Sequence, residues 1–186
     1  MDGPNPCPTI RVRVWDRAVR VLHWAGVVAL AGAWLTSGRW TRWHEPAGDA
    51  VLAIVAARIV WGFVGSRHAR FAGFVRAPRA TWHHTRQLLA HREPRHLGHN
   101  PLGGWMVVAL LACTLGAGLT GWLFTTDAFW GSDAVATAHA LFAWTLPVLV
   151  ALHVAGVIFT SMRQRENLVA AMFSGAKRAA SGDDIA

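Results

Sequence analysis

The sequence predicts an all-α membrane protein, a bundle of four transmembrane helices. Three observations lead there. Of 186 residues, 53% are apolar and only 15% charged, where a soluble domain of this size carries about 25% charged residues. The mean hydropathy is +0.30. The charge that remains is basic, 18 Lys+Arg against 10 Asp+Glu, and it is gathered between four long apolar runs, as in a chain whose loops collect its charges. This combination excludes a disordered chain, an acidic protein and a disulfide scaffold. It also speaks against a nucleic-acid partner, because such domains expose basic surface without surplus apolar surface. Eleven Trp and no Tyr fit aromatic residues placed at membrane interfaces.

The first apolar run, 21–37, follows a stretch containing Arg11, Arg13, Arg17 and Arg20, and no small-residue cleavage site flanks it. The second, 47–64, has Asp49 in its first turn and Arg58 three turns in. The third, 104–124, carries no charge. The fourth, 138–162, contains Pro147, which lacks an amide donor and should bend the helix. Each run has the roughly 17–25 residues that cross about 30 Å of hydrocarbon at about 1.5 Å per residue. The connections differ in charge. Loop 65–103 holds seven Arg against Glu93 alone, whereas 125–137 has Asp127 and Asp133 and no cation. The positive-inside rule therefore places segment 1–20, loop 65–103 and tail 163–186 in the cytoplasm, flanking a spanning domain over 21–162.

Cys7 and Cys113 form no CxxC or CxxCH, so a zinc ribbon and covalent haem attachment are both unavailable. Six of the ten histidines, His68, His83, His84, His91, His96 and His99, fall in the basic loop and are expected to be solvated. His96-x-x-His99 is a conceivable metal spacing, without a carboxylate or thiol set beside it. The other four, His23, His44, His139 and His153, lie within or at the ends of spans, where ionisable side chains are costly and usually functional or paired.

Their spacing carries the argument. His139 and His153 are two heptads apart on one helix, so both rings project from nearly one face, about 21 Å apart along the axis. The topology puts His23 at the depth of His153, on the inner side, and His44 at the depth of His139, on the outer side. Two stacked imidazole pairs inside a four-helix bundle are what two bis-histidine b-type haems require. Arg58, 14 residues beyond His44, reaches the inner depth, to neutralise haem propionates or to snorkel to the interface. Gly116, Gly118 and Gly121 admit either close helix packing or a macrocycle face. Gly116-x-Gly118-x-x-Gly121 is only formally a dinucleotide motif, since it lies within a span and follows no strand.

The run Arg13-Val-Trp-Asp-Arg-Ala-Val-Arg-Val-Leu-His23-Trp24 resembles the opening of the prokaryotic cytochrome b561 family, related to the b subunits of nickel–iron hydrogenases. Arg58-Ile-Val-Trp-Gly-Phe-Val-Gly-Ser-Arg-His-Ala-Arg-Phe71, Gly98-His-Asn-Pro-Leu-Gly-Gly-Trp105, His153-Val-Ala-Gly156 and Arg165-Glu-Asn-Leu-Val169 extend the resemblance over nearly the whole chain. It implies a four-helix cytochrome of the bacterial inner membrane holding two non-covalent b haems, with His23, His44, His139 and His153 as iron ligands. Around His139, where the family often has a second His or a Glu, this chain has Ala-His-Ala-Leu-Phe. The function implied is respiratory electron transfer between the quinone pool and a redox partner. One alternative is a membrane-anchor subunit serving a dehydrogenase, a hydrogenase or a cytochrome c. An alternative of another class is a haem-free transporter or scaffold whose histidines relay protons.

Overall fold

The structure, a computed structural model, describes residues 11–38, 41–90, 92, 94–180 and 184–185. Strand β1 (Arg11–Arg13) leads into helix α1 (Arg17–Thr36), followed by α2 (Thr41–Val64), the short α3 (Phe71–Phe74), α4 (Pro78–Leu89), α5 (Pro101–Phe124), α6 (Asp133–Gln164), α7 (Leu168–Ser174) and strand β2 (Ala176–Arg178). Four of these, α1, α2, α5 and α6, are long and apolar enough to cross a membrane. Each apolar run seen in the sequence coincides with the body of one of them, the first ending one residue beyond α1 at its C-cap Ser37, and every helix begins before its run. Asp16 accepts from the Val19 amide at 2.8 Å to start α1. Asn100 accepts from the Gly103 amide at 2.7 Å to start α5, with Pro101 in the first turn. Helix α2 begins six residues before the apolar run, so His44 lies inside it rather than ahead of it.

Helix α1 packs on α2, α2 on α5 and α5 on α6. Ala33, Val51 and Val55 form one apolar core between the first three, with Leu111 and Leu115 against it; Cys113, Ala117 and Leu146 form another. Val28, Leu35, Phe63 and Trp144 stay largely exposed on the outer surface, a face suited to lipid rather than water. The glycines of α5 serve close packing. A Cβ at Gly116 would come within 2.7 Å of the Phe142 ring, and one at Gly118 within 3.1 Å of Leu52.

One end of the bundle carries the described parts of loop 65–100 and of the segments that flank the four spans, 11–16 and 165–180. There β1 and β2 pair antiparallel, Val12 opposite Lys177, and the amides of Val14 and Trp15 donate to the Gly175 carbonyl at 2.9 and 3.1 Å. Gly175 takes φ 79° with its Cβ position 2.6 Å from the Trp15 carbonyl, so only glycine suits both the turn and the contact. Arg95 donates to Glu166 at 2.8 Å and Asp184 at 2.7 Å, and also to the carbonyls of Arg178 and Ala179. Trp15, Val14, Val19, Ala69, Leu97 and Ala171 form the core beneath. The expectation of a solvated loop is corrected here in part: His83 is exposed as expected, His91 lies outside the described residues, and His84 is buried. Loop 65–100 contains two helices, and His84, 5% exposed, lies edge-on to His96 at 5.1 Å.

Candidate histidine pairs and their comparison with known proteins

His44, in the first turns of α2, and His139, in the second turn of α6, meet at the end of the bundle away from the basic loop. Their ring centroids are 6.1 Å apart and their planes nearly perpendicular, at 84°. His44 Nδ1 lies 2.8 Å from the Ala33 carbonyl and His139 Nδ1 lies 2.9 Å from the Ala117 carbonyl. A carbonyl oxygen only accepts, so each Nδ1 carries the proton and each Nε2 keeps its lone pair. Two imidazoles bound to one metal from opposite sides at about 2 Å stand with centroids roughly 6 Å apart, so the pair has the dimensions for one iron between them. Gly121 lets the His139 ring approach: a Cβ there would stand 3.1 Å from its Cε1.

His23, in the second turn of α1, and His153, toward the C-terminal end of α6, lie at the basic end, within electrostatic reach of each other. His44 and His139 are thus in ring contact at one end, while His23 and His153 share the other end of the bundle. Arg58 reaches up from α2 to the same end. Its Nη2 donates to the Ala69 carbonyl at 3.3 Å and its guanidinium lies 5.6 Å over the Phe71 ring. Its Nη1 is buried with no partner, and so is Trp24 Nε1. Buried, unmet donors of this kind suit a cofactor that brings carboxylates.

Reading the sequence alone missed His99. Expected in a solvated loop, it instead sits between Trp15 at 4.7 Å and Phe74 at 4.8 Å, with Nδ1 enclosed and unpartnered. Burial, then the nearby charges of Lys177 and Arg58, pushes its pKa down to about 3. The signal was its place: one residue before the Asn100 cap, His99 rides at the mouth of α5. His96 and His99 face different rings and share no site. Among the described residues, no group of three or more His, Cys, Asp or Glu is arranged to hold a metal ion.

The profile of the family described as prokaryotic cytochrome b561 matches residues 14–175. The chain belongs to the prokaryotic cytochrome b561 family. It is a multi-pass membrane cytochrome b of electron transfer, and the haem-free alternative is set aside. This cytochrome is 26% identical, over 90% of its own length and 86% of the relative's, to a protein of Bradyrhizobium diazoefficiens named "Probable Ni/Fe-hydrogenase B-type cytochrome subunit". A protein of the same name from Azotobacter chroococcum is 33% identical, over 71% of this cytochrome and 65% of that chain. Another, from Rhodobacter capsulatus, is 24% identical over 88% and 80%. No solved structure matches the cytochrome significantly.

Proposed function

We propose that the chain holds two b haems, one between His23 and His153 and one between His44 and His139, and passes electrons across the membrane between the quinone pool and a redox partner. The observation that carries this reading is the His44–His139 pair, 6.1 Å between rings with each Nδ1 tied to a carbonyl. Bound haem b supplies one-electron oxidation and reduction at its iron. His44 and His139 would hold the haem between them through their imidazoles, and ligation by two histidines would favour outer-sphere electron transfer over oxygen binding. The Ala33 and Ala117 carbonyls fix the tautomer and orient both rings. His139 and His153, about 21 Å apart along α6, assign one pair to each side. Arg58 neutralises negative charge at the inner site.

The basic excess of loop 65–103 supports a chain in the bacterial inner membrane with 1–20, 65–103 and 163–186 on the cytoplasmic side of the spanning domain 21–162. A second reading is favoured by the names of the relatives. In it the chain is the cytochrome subunit of a hydrogenase-like complex, taking electrons from that partner; a cytochrome c or dehydrogenase subunit would occupy the same place. A quinol analogue separates the two, since a quinone-linked cytochrome is reduced by it alone, whereas an anchor subunit waits for its partner.

The test of the haem assignment is a reduced-minus-oxidised spectrum with haem quantitation on wild type and four variants. Wild type should bind two low-spin haems. His23→Ala and His153→Ala should each remove the same low-spin component, and His44→Ala and His139→Ala the other. One haem per chain, or loss of the same component in His23→Ala and His44→Ala, refutes the assignment.

A further inference from the structure

Arg58 Nη1 and His99 Nδ1, like Arg20 Nε and Trp24 Nε1, are enclosed side-chain nitrogens without a hydrogen-bond partner. The first two stand at the two ends of one aromatic chain. Arg58 lies 5.6 Å over Phe71, Phe71 meets Phe74 at 5.7 Å, and Phe74 meets His99 at 4.8 Å. His99 is within electrostatic reach of Arg58 and of both His23 and His153. A buried donor left unmet costs about 1–3 kcal/mol, more when charged, so native structures provide acceptors.

Among the described residues at this end, Asp16 (within electrostatic reach of Arg58), Glu166 and Asp184 are already engaged. Asp16 accepts from the Val19 amide, Trp61 Nε1 and Ser66 Oγ. Glu166 and Asp184 are bound by Arg95. Among the described residues, then, no carboxylate is hydrogen-bonded to Arg58 Nη1 or His99 Nδ1. A guanidinium together with an imidazole N–H selects an anion, and a carboxylate best of all, through charge-assisted bonds. Haem b brings two carboxylates wherever it binds.

We infer that Arg58 Nη1 and His99 Nδ1 jointly hold a propionate of the inner haem, making His99 a cofactor-binding residue. The inference rests on the two-haem reading above. His99 is suited to the role because it stays neutral in its aromatic cage. In its Nδ1–H tautomer it donates to the carboxylate without placing a second cation beside Arg58. The arginine supplies the compensating charge.

The experiment is resonance Raman spectroscopy of the purified cytochrome, the haems distinguished by redox poise, alongside a redox titration. In wild type, the propionate-bending band of the inner haem should shift when exchangeable protons are replaced by deuterium. His99→Leu should move that band, lower the inner midpoint potential and weaken inner-haem retention about tenfold or more, with the outer haem unchanged. The potential falls because a propionate that has lost one hydrogen-bond donor keeps more negative charge on its oxygens, which favours the ferric iron. His99→Gln, which keeps an N–H donor, should restore the band. Two haems in wild type with no deuterium shift overturn the inference alone. So does His99→Leu with the inner band and potential unmoved. If His99→Leu fails to fold, seen as loss of the outer haem too, His99→Phe takes its place, with the same shift of band and potential expected and an unmoved band overturning the inference. A wild type with one haem takes the inference down together with the two-haem reading, a result visible before any variant is made. A lipid phosphate or free anion as the true occupant leaves the haem band unmoved, which also overturns it.

Discussion

Lys177 is the only lysine in the chain, and it is 4% exposed, its ammonium 5.5 Å over the Trp15 ring. Burial pushes its pKa down to about 8, opposed by Glu166 and reinforced by Arg95. The unfolded chain, with an ordinary lysine near 10.5, then binds more protons than the folded one between those values. Stability accordingly rises with pH across that window, and the full penalty, about 3 kcal/mol, applies below pH 8. With no Tyr in the chain, the window is shared only with the terminal amine and the thiols of Cys7 and Cys113. In a Cys7→Ser/Cys113→Ser background, denaturation at pH 7.5 and 10.5 should show the rise, and Lys177→Met should abolish it. A flat wild-type profile refutes this. Nothing local in the sequence marks Lys177 as buried. It stands in a tail rich in small and charged residues, and its burial comes from pairing with Val12 at the other end of the chain.

At the scale of elements, the spans and their histidines were legible and the cap was not. A run of 18 or more apolar residues is read by summation, so one Arg58 or one Pro147 does not hide it. The pairing of His44 with His139 followed from helix rise and alternating direction alone. The cap over the basic end depends on contacts between segments far apart, and its arginines read as solvent-facing. Arg95 is the clearest case, bridging the loop before α5, the turn after α6 and the C-terminal Asp184. Removing one member of an ion pair this enclosed costs about 3–5 kcal/mol. Arg95→Met should therefore raise the open fraction of the cap roughly a hundredfold or more. Tryptic cleavage after Arg163 and Arg178, timed against wild type, measures it; equal rates would show that the bridge adds no stability.

At the scale of the whole molecule, the segments before and after the spans and the long loop gather at one end of a four-span bundle, and the sign of that end decides its orientation. Reporter fusions truncated after Arg86 and joined after the last residue should both read as cytoplasmic. A periplasmic signal from either would exchange the inner and outer sites. The join of β1 to β2 also bears on biosynthesis. Strand β1 precedes the first span and β2 follows the last. The seam can therefore form only once all four spans have been made. It ties the segment before the bundle to the segment after it, a closure that no single span makes alone.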